Sequence, residues 1–304
     1  MKIAIVDLGS NTIRLSVYHT LPDGRFELLF SEKEMAGLVS YVRGGRLSPE
    51  GIQRACTGIR DFQGLLRQFD MGAPHVFATA SLRNIRNTEE AVAQIREATG
   101  VEVDVISGEL EAKLGYYGTR LATNLRDGAV FDIGGGSTEI LEVRGGEIRR
   151  AQSLPMGSLS LFTDYVSGLF PTREERRALR NRVESELERA RTAGVHCAHL
   201  TGVGGTIRAA AKLYNACSGA DPANRVIPAE ELRGLYKELK KGDQGTLRQI
   251  LRTAPDRVHT ILPGLVILNA VVKSYGVETI SVSACGVREG YLLQRVMGVE
   301  NHDE

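Results

Sequence analysis

The first third of the chain is organised by short apolar runs and by apolar residues at helical spacing. Runs rich in β-branched residues that alternate with polar ones predict strands, and longer amphipathic segments predict helices. The predicted elements are strands at 3–7, 12–19 and 26–32, a helix at 48–69, a strand at 76–79, a helix at 88–99, a strand at 101–106 and a helix at 109–121. Ser48 followed by Pro49 is typical of a helix start. This order is typical of an α/β fold.

The same pattern begins again at residue 129. Residues 4–12 resemble residues 129–137 at an offset of 125 residues, and in both cases an apolar strand ends in Asp and breaks into a glycine turn. Two similar units of domain size indicate a duplicated fold with two lobes, predicted as 1–124 and 125–304, and a cleft between them. Beyond residue 171 the pattern is mostly helical, so the second lobe is expected to carry extra helices, the first of them at 172–192.

Composition narrows the class of protein. The 304 residues include 38 Lys+Arg and 37 Asp+Glu, a net charge of +1, which argues against a polycation that coats nucleic acid. No segment approaches the ~20 consecutive apolar residues of a membrane span. The four cysteines are scattered, as in a protein whose thiols stay reduced. The apolar run at the start of the chain meets an acidic residue at Asp7, so it is too short for the core of a signal peptide. We therefore expect a cytoplasmic protein without a membrane or nucleic-acid partner.

The two glycine turns are the strongest chemical signal. Glycines let backbone N–H groups approach phosphate oxygens, and Ser, Asn and Thr side chains add donors. The predicted phosphate-binding residues are Gly9, Ser10, Asn11, Thr12, Gly134, Gly135, Gly136 and Ser137. A carboxylate at the strand end suits Mg²⁺, which prefers a few carboxylates together with phosphate and water. Asp7 and Asp132 occupy that position in the two units.

Several motifs in this order resemble the exopolyphosphatase/guanosine pentaphosphate phosphohydrolase family, within the superfamily of actin, sugar kinases and heat-shock ATPases. The matching segments are residues 7–12, 78–83, 106–114, 132–139, 202–206 and 286–290. The resemblance spans essentially the whole chain. It implies two ribonuclease H-like, actin-like lobes and Mg²⁺-assisted removal of a terminal phosphate in the interdomain cleft.

The same resemblance assigns roles to individual residues. Glu111 is implied to be the base that activates the attacking water, with Glu109 as a less favoured neighbour, and Arg83 to grip the transferring phosphate. Asp132 and Glu139 are implied to bind metal or orient water, with Asp7 as the acid of the first turn. The further predicted anion-binding residues are Gly204 and Gly205, at the start of a predicted helix.

The leading functional hypothesis is a Mg²⁺-dependent hydrolase that releases orthophosphate from the end of inorganic polyphosphate. Guanosine pentaphosphate is the alternative substrate. Two other functions are less favoured: an ATP-dependent kinase, and a weakly active sensor that binds polyphosphate or an alarmone. The resemblance also allows a homodimer.

Two departures from the family pattern bear on the substrate. Many members have Arg-Leu-Gly where this chain has residues 34–38, Glu-Met-Ala-Gly-Leu, so a substrate-contacting arginine is expected to be missing. No H…HD pattern of a C-terminal phosphohydrolase region occurs, so the chain resembles the short, two-domain members. Both departures reduce the expected number of contacts to a long polyanion.

Overall fold

A computed structural model describes residues 1–190 and 196–299. The strands are β1 (Lys2–Leu8), β2 (Thr12–Thr20), β3 (Phe26–Met35), β4 (Val42–Arg43), β5 (Arg46–Leu47), β6 (His75–Ala78), β7 (Val103–Val105), β8 (Gly128–Ile133), β9 (Thr138–Arg144), β10 (Glu147–Leu154), β11 (His199–Val203), β12 (Val226–Pro228) and β13 (Thr279–Val282). The α-helices are α1 (Pro49–Gln68), α2 (Ala80–Arg83), α3 (Thr88–Thr99), α4 (Gly108–Arg120), α5 (Ser158–Tyr165), α6 (Arg173–Arg189), α7 (Gly204–Ser218), α8 (Ala229–Leu239), α9 (Gln244–Thr253), α10 (Ile261–Tyr275) and α11 (Val287–Tyr291). Short 3₁₀ turns lie at Leu38–Tyr41 and Pro255–Arg257, and a π-helical turn follows α11 at Leu292–Val296.

The chain forms two compact units. The first comprises Met1–Gly108 with Leu292–Val299, and the second comprises Glu109–Tyr291. The expected lobe boundary lies at 124–125, whereas the two compact units divide between Gly108 and Glu109. Nearly all of α4 therefore belongs to the second unit.

Two glycine contacts explain why α4 groups with the second unit. A Cβ at Gly118 of α4 would lie 2.0 Å from the carbonyl oxygen of Gly286, and a Cβ at Gly290 of α11 would lie 2.0 Å from that of Leu114. The backbones of the two helices approach so closely that only glycine fits at these positions. This contact links α4 to the end of the chain, which the sequence pattern did not indicate.

The first unit is built on a five-stranded sheet of order β3-β2-β1-β6-β7. Strands β1, β2 and β3 are antiparallel neighbours, and β6 and β7 continue parallel to β1. Helix α1 covers this sheet because Ile52, Ile59 and Leu66 recur at helical spacing and are buried. The Ser48 hydroxyl caps α1 by accepting a hydrogen bond from Gly51 N (3.3 Å), as predicted.

The second unit repeats this topology and extends it. Its sheet has the order β10-β9-β8-β11-β13-β12, with β8, β11 and β13 parallel and β12 antiparallel at the edge. The first five positions match the first sheet strand for strand. The predicted α/β class, the internal repeat and the additional helices of the second unit are thus confirmed.

Several elements were not predicted. Helices α5 and α9 and the edge strand β12 were missed, as were the hairpin of β4 with β5 and the single turn α2. Strands β4, β5 and β12 and the turn α2 have only two to four residues each, too few for an apolar period to emerge. The predicted end of the helix at residue 192 lies outside the described residues. No helix in the described part of the chain is both long and apolar enough to cross a membrane.

Candidate active site

The two glycine turns have the same backbone hydrogen bond. Gly9 N donates to the carbonyl of Thr12 (3.1 Å), and Gly134 N donates to that of Ser137 (2.9 Å). The offset between the two bonds is the 125 residues of the sequence repeat. A Cβ at Gly9 would lie 2.9 Å from the Thr12 carbonyl oxygen, and one at Gly134 would lie 3.2 Å from that of Ser137. The turns are therefore tight enough to favour glycine at their first position.

Helix α5 orients the peptide groups of the second turn. The carbonyl of Gly134 accepts a hydrogen bond from Ser158 N (2.9 Å), and that of Gly135 accepts one from Ser160 N (2.9 Å). In a planar trans peptide, the C=O and the following N–H point in opposite directions. The N–H groups of Gly135 and Gly136 therefore point away from α5. This arrangement of successive amides suits an anion.

The first turn is held by the segment that follows β3. The carbonyl of Ser10 accepts a hydrogen bond from Val39 N (3.2 Å), and that of Asn11 accepts one from Gly37 N (2.9 Å). Within the described ranges, the buried Nδ2 of Asn11 has no hydrogen-bond acceptor. A buried donor without an acceptor costs about 1–3 kcal/mol. An anion at this turn would offer the acceptor that the protein does not.

Asp132 and Glu139 face each other across β8 and β9. They are paired in the antiparallel register, so their side chains project from the same face of the sheet. Glu139 is 3% exposed and accepts hydrogen bonds from the hydroxyls of Ser137 (2.7 Å) and Ser153 (2.6 Å). These bonds hold the Glu139 carboxylate in one orientation beside the second turn.

The Asp132 carboxylate lies at the start of α7, among arginines. A Cβ at Gly204 would lie 2.0 Å from Asp132 Oδ1, and Gly204 has a left-handed φ of +85°. Burial raises the pKa of the Asp132 carboxyl. Three guanidinium groups oppose this rise in pKa, in decreasing order those of Arg208, Arg288 and Arg257. Asp132 is thus a desolvated carboxyl whose ionised form the surrounding cations favour.

Some of these neighbours had no role in the sequence-based prediction. Arg208 is four residues after Gly204 and therefore on the same side of α7, a spacing that could have indicated it. Arg257 comes from a 3₁₀ turn far along the chain, and its guanidinium packs on the next glycine, with a Cβ at Gly205 lying 2.1 Å from Arg257 Nη2. No local signal indicates Arg257. Ser153 was likewise missed, because only strand pairing brings it to Glu139.

Glu111 lies in the first turns of α4 and is 7% exposed. Its neighbours on α4 pack onto one face of the second sheet. The apolar cluster there consists of Ala112, Tyr116, Val130, Leu141, Val143 and Val203. Asp132 and Glu139 project from this same face, because each is two residues along its strand from a member of the cluster. Glu111, Asp132 and Glu139 therefore lie on one side of the second unit's sheet.

Asp7 and Arg83 belong to the first unit. Asp7 is at the end of β1 and is paired in register with Arg14, the position equivalent to Glu139 in the repeat. Arg83 ends α2, and its Nη1 donates to the carbonyl of Ile106 (3.2 Å).

The carboxylates in the described part of the chain form no closed cage for a metal ion, but two of them suit Mg²⁺. Among the described residues, no three His, Cys, Asp or Glu side chains are grouped so that they could hold a metal ion. Mg²⁺ does not require such a cage, since it is usually held by one or two carboxylates together with phosphate and water. Asp132 and Glu139, opposite each other beside an anion-binding turn, fit that requirement.

Comparisons with known proteins agree with these features. The sequence profile of the Ppx/GppA phosphatase family matches residues 17–298. A putative exopolyphosphatase of Haemophilus influenzae is 30% identical over 298 residues, covering 96% of this chain and 90% of that protein. Exopolyphosphatase 1 of Mycobacterium tuberculosis is 25% identical over 304 residues, covering 97% and 88%. A guanosine-5'-triphosphate,3'-diphosphate pyrophosphatase of Photobacterium profundum is 26% identical over 306 residues, covering 99% of this chain but 60% of its own length.

Solved structures share the fold. A crystal structure of an exopolyphosphatase from Cytophaga hutchinsonii superposes with a TM-score of 0.85 at 24% identity, covering 99% of both chains. A Ppx/GppA family member from Aquifex aeolicus superposes with a TM-score of 0.76 at 26% identity, again covering 99% of both. These structures have the two-lobe actin-like fold, which matches the repeated sheet topology described above. The chain belongs to the Ppx/GppA phosphatase family and is a hydrolase of phosphoanhydride bonds.

Proposed function

We propose that this protein releases orthophosphate from the end of inorganic polyphosphate in a Mg²⁺-assisted reaction. The observation that supports this best is that Glu111, Asp132 and Glu139 lie on the same side of the sheet that leads into the second glycine turn. Exopolyphosphatases among the relatives support the same substrate.

In the proposed reaction, a water oxygen attacks the terminal phosphorus and Glu111 takes the proton of that water. The bond between this phosphorus and the bridging oxygen breaks, and the electron pair stays with the shortened chain. The products are orthophosphate and a polyphosphate one unit shorter. General-base assistance of this kind contributes about 10²–10⁴-fold in rate. The burial of Glu111 suits the role, because few water molecules compete for its carboxylate.

The remaining residues bind and orient the substrate in this proposal. Amide groups of the second glycine turn donate to phosphate oxygens. At the first turn, the buried Nδ2 of Asn11 would gain an acceptor from a bound anion. Arg83 offers a planar guanidinium that pairs with two phosphate oxygens at once. Asp132 and Glu139 would hold Mg²⁺, and Asp7 is the corresponding acid of the first turn. Bound there, Mg²⁺ would neutralise charge that develops on the phosphate oxygens.

Guanosine pentaphosphate is the second candidate substrate, and one observation favours it. The segment with Glu-Met-Ala-Gly-Leu, in place of the expected Arg-Leu-Gly, hydrogen-bonds directly to the first turn through Gly37 N and the Asn11 carbonyl (2.9 Å). Glu34, which begins this segment, forms an ion pair with Arg54 (2.6 Å). A site without that family arginine has one cation fewer for a long polyanion. The pyrophosphatase relative from Photobacterium profundum supports the nucleotide as well.

The test measures phosphate release from long-chain polyphosphate, tripolyphosphate and guanosine pentaphosphate in parallel, with Mg²⁺ and with EDTA. We expect activity on polyphosphate that EDTA abolishes. Glu111→Gln should lower kcat at least about 100-fold while leaving substrate affinity nearly unchanged. Glu109→Gln is the matched control, since Glu109 is an exposed residue of the same helix that pairs with Lys113. A preference for guanosine pentaphosphate would select the second candidate, and inactivity on all three substrates would refute both.

A further inference from the structure

A groove with both polar and apolar walls opens in the second unit between helices α6, α8 and α10. Its volume is about 260 Å³. The lining residues are Arg180, Glu184, Tyr236, Val266, Asn269, Ala270 and Lys273. None of them belongs to the glycine turns or to the acidic residues of the candidate active site. The groove is therefore a separate feature that hydrolysis does not explain.

The rim of the groove is cationic. Arg180 and Lys273 are exposed, and within residues 1–190 and 196–299 neither forms an ion pair. Two other arginines of α6, Arg182 and Arg189, are paired with Glu186. Two cations at the mouth of one cavity favour an anionic ligand.

The interior of the groove is not suited to a purely inorganic anion. Val266 and Ala270 supply apolar surface, and the half-buried ring of Tyr236 supplies an aromatic wall. Glu184 would repel a phosphate group at the same position. A ligand that fits must therefore join an anionic end to a flat apolar body.

Two hydrogen-bond acceptors in the groove indicate that the flat part of the ligand must carry hydrogen-bond donors. Asn269 Nδ2 is engaged with the carbonyl of Leu265 (2.8 Å), which leaves its Oδ1 as an acceptor. The Glu184 carboxylate is an acceptor as well and, in the described part of the chain, forms no ion pair. The edge of a purine base carries N–H donors, so it matches these two groups, and it stacks on a tyrosine ring.

We propose that this groove binds a purine nucleoside phosphate, with the base between Tyr236 and the apolar floor and the phosphates at Arg180 and Lys273. The size agrees with this division. A cavity of about 260 Å³ lies just below the roughly 300–1,000 Å³ of pockets that enclose a whole ligand, so it holds the base and leaves the phosphates outside. The phosphates then remain at the exposed rim, where the two cations are. The site is distinct from the proposed hydrolytic site.

The experiment is calorimetric titration of the full chain with GDP and ADP, and with guanosine and inorganic pyrophosphate as the two halves of the ligand. We expect saturable nucleotide binding. The part of the binding that depends on Arg180 and Lys273 should be tighter for the nucleotide than for either half. Arg180→Ala and Lys273→Ala should each weaken nucleotide binding roughly tenfold, as for the loss of one charge-assisted contact. Arg248→Ala and Lys212→Ala are matched controls, because both are exposed cations of the second unit outside the groove. Both controls should leave the affinity unchanged.

Three results would overturn the proposal. The first is the absence of saturable GDP or ADP binding. The second is binding that the groove variants leave intact, which would put the nucleotide elsewhere. The third is pyrophosphate binding that is as tight as nucleotide binding and that Arg180→Ala and Lys273→Ala weaken to the same extent, because the groove would then bind the anion alone. Because Glu111→Gln should leave groove binding unchanged, the outcome does not depend on which substrate the enzyme hydrolyses.

Discussion

Gly204→Ala is the most direct test of the geometry around Asp132. The added methyl carbon would lie 2.0 Å from Asp132 Oδ1, whereas observed Cβ contacts are essentially never below 3.0 Å, so the carboxylate must shift by about 1 Å. A misplacement of 1 Å in a catalytic constellation costs roughly 100-fold in rate. Alanine at the left-handed φ of +85° adds about 1–2 kcal/mol of conformational cost.

Gly219→Ala separates these two effects. Gly219 ends the same helix, α7, with a φ of +71°, and an added Cβ there has no atom within 4 Å. Both variants should lower the Tm by several degrees, at roughly 2–4 °C per kcal/mol for a unit of this size. Only Gly204→Ala should also lose about 100-fold in kcat/KM for phosphate release. Equal activity in the two variants would refute the assignment of Asp132 to the reaction.

Three further predictions test the surroundings of the site and one helix start. Ser153→Ala removes one of the two hydroxyl donors to Glu139, so kcat should fall about tenfold with little change in KM, and an unchanged kcat would contradict the positioning argument. Arg208→Gln removes the cation that acts most strongly on the Asp132 carboxyl, and activity should fall at least tenfold, whereas Lys212→Gln, one turn along α7, should retain it. Hydrogen bonds at the start of α6, the largest from the Thr172 amide, lower the pKa of Glu175 to about 2. The ionised Glu175 carboxylate therefore stabilises the folded protein above pH 4.5, and this stabilisation is lost as the pH falls toward 2. The Tm difference between wild type and Glu175→Gln should accordingly disappear over that interval.

Part of the candidate site could be predicted from local sequence motifs. Ser10, Asn11 and Ser137 were predicted as phosphate donors from the turn motif alone, because a glycine turn after a buried strand is a local feature. The pairing of Asp132 with Glu139 also follows locally, since a tight turn between adjacent strands sets the register. Their roles as donors and acids stay predictions until the variants are measured.

Other parts of the site depend on contacts between distant segments. Arg257 reaches the start of α7 from a 3₁₀ turn about 50 residues further along, and Ser153 reaches Glu139 only through the pairing of β10 with β9. Neither residue stands in a recognisable motif. A sequence pattern reports spacing along one element, so it carries no information on which surface that element meets.

The amino-acid sequence alone predicts the α/β class, most strands and helices, the repeat at 125 residues and the membership of a phosphatase family. Each of these depends on local periodicity, on turn chemistry or on motifs in a fixed order. Tertiary structure decided the rest: the grouping of α4 with the second unit through Gly118 and Gly290, the arginines around Asp132, and the groove between α6, α8 and α10. The physical reason is that backbone approach and electrostatic neighbourhood arise from packing between elements, and one-dimensional spacing does not encode them.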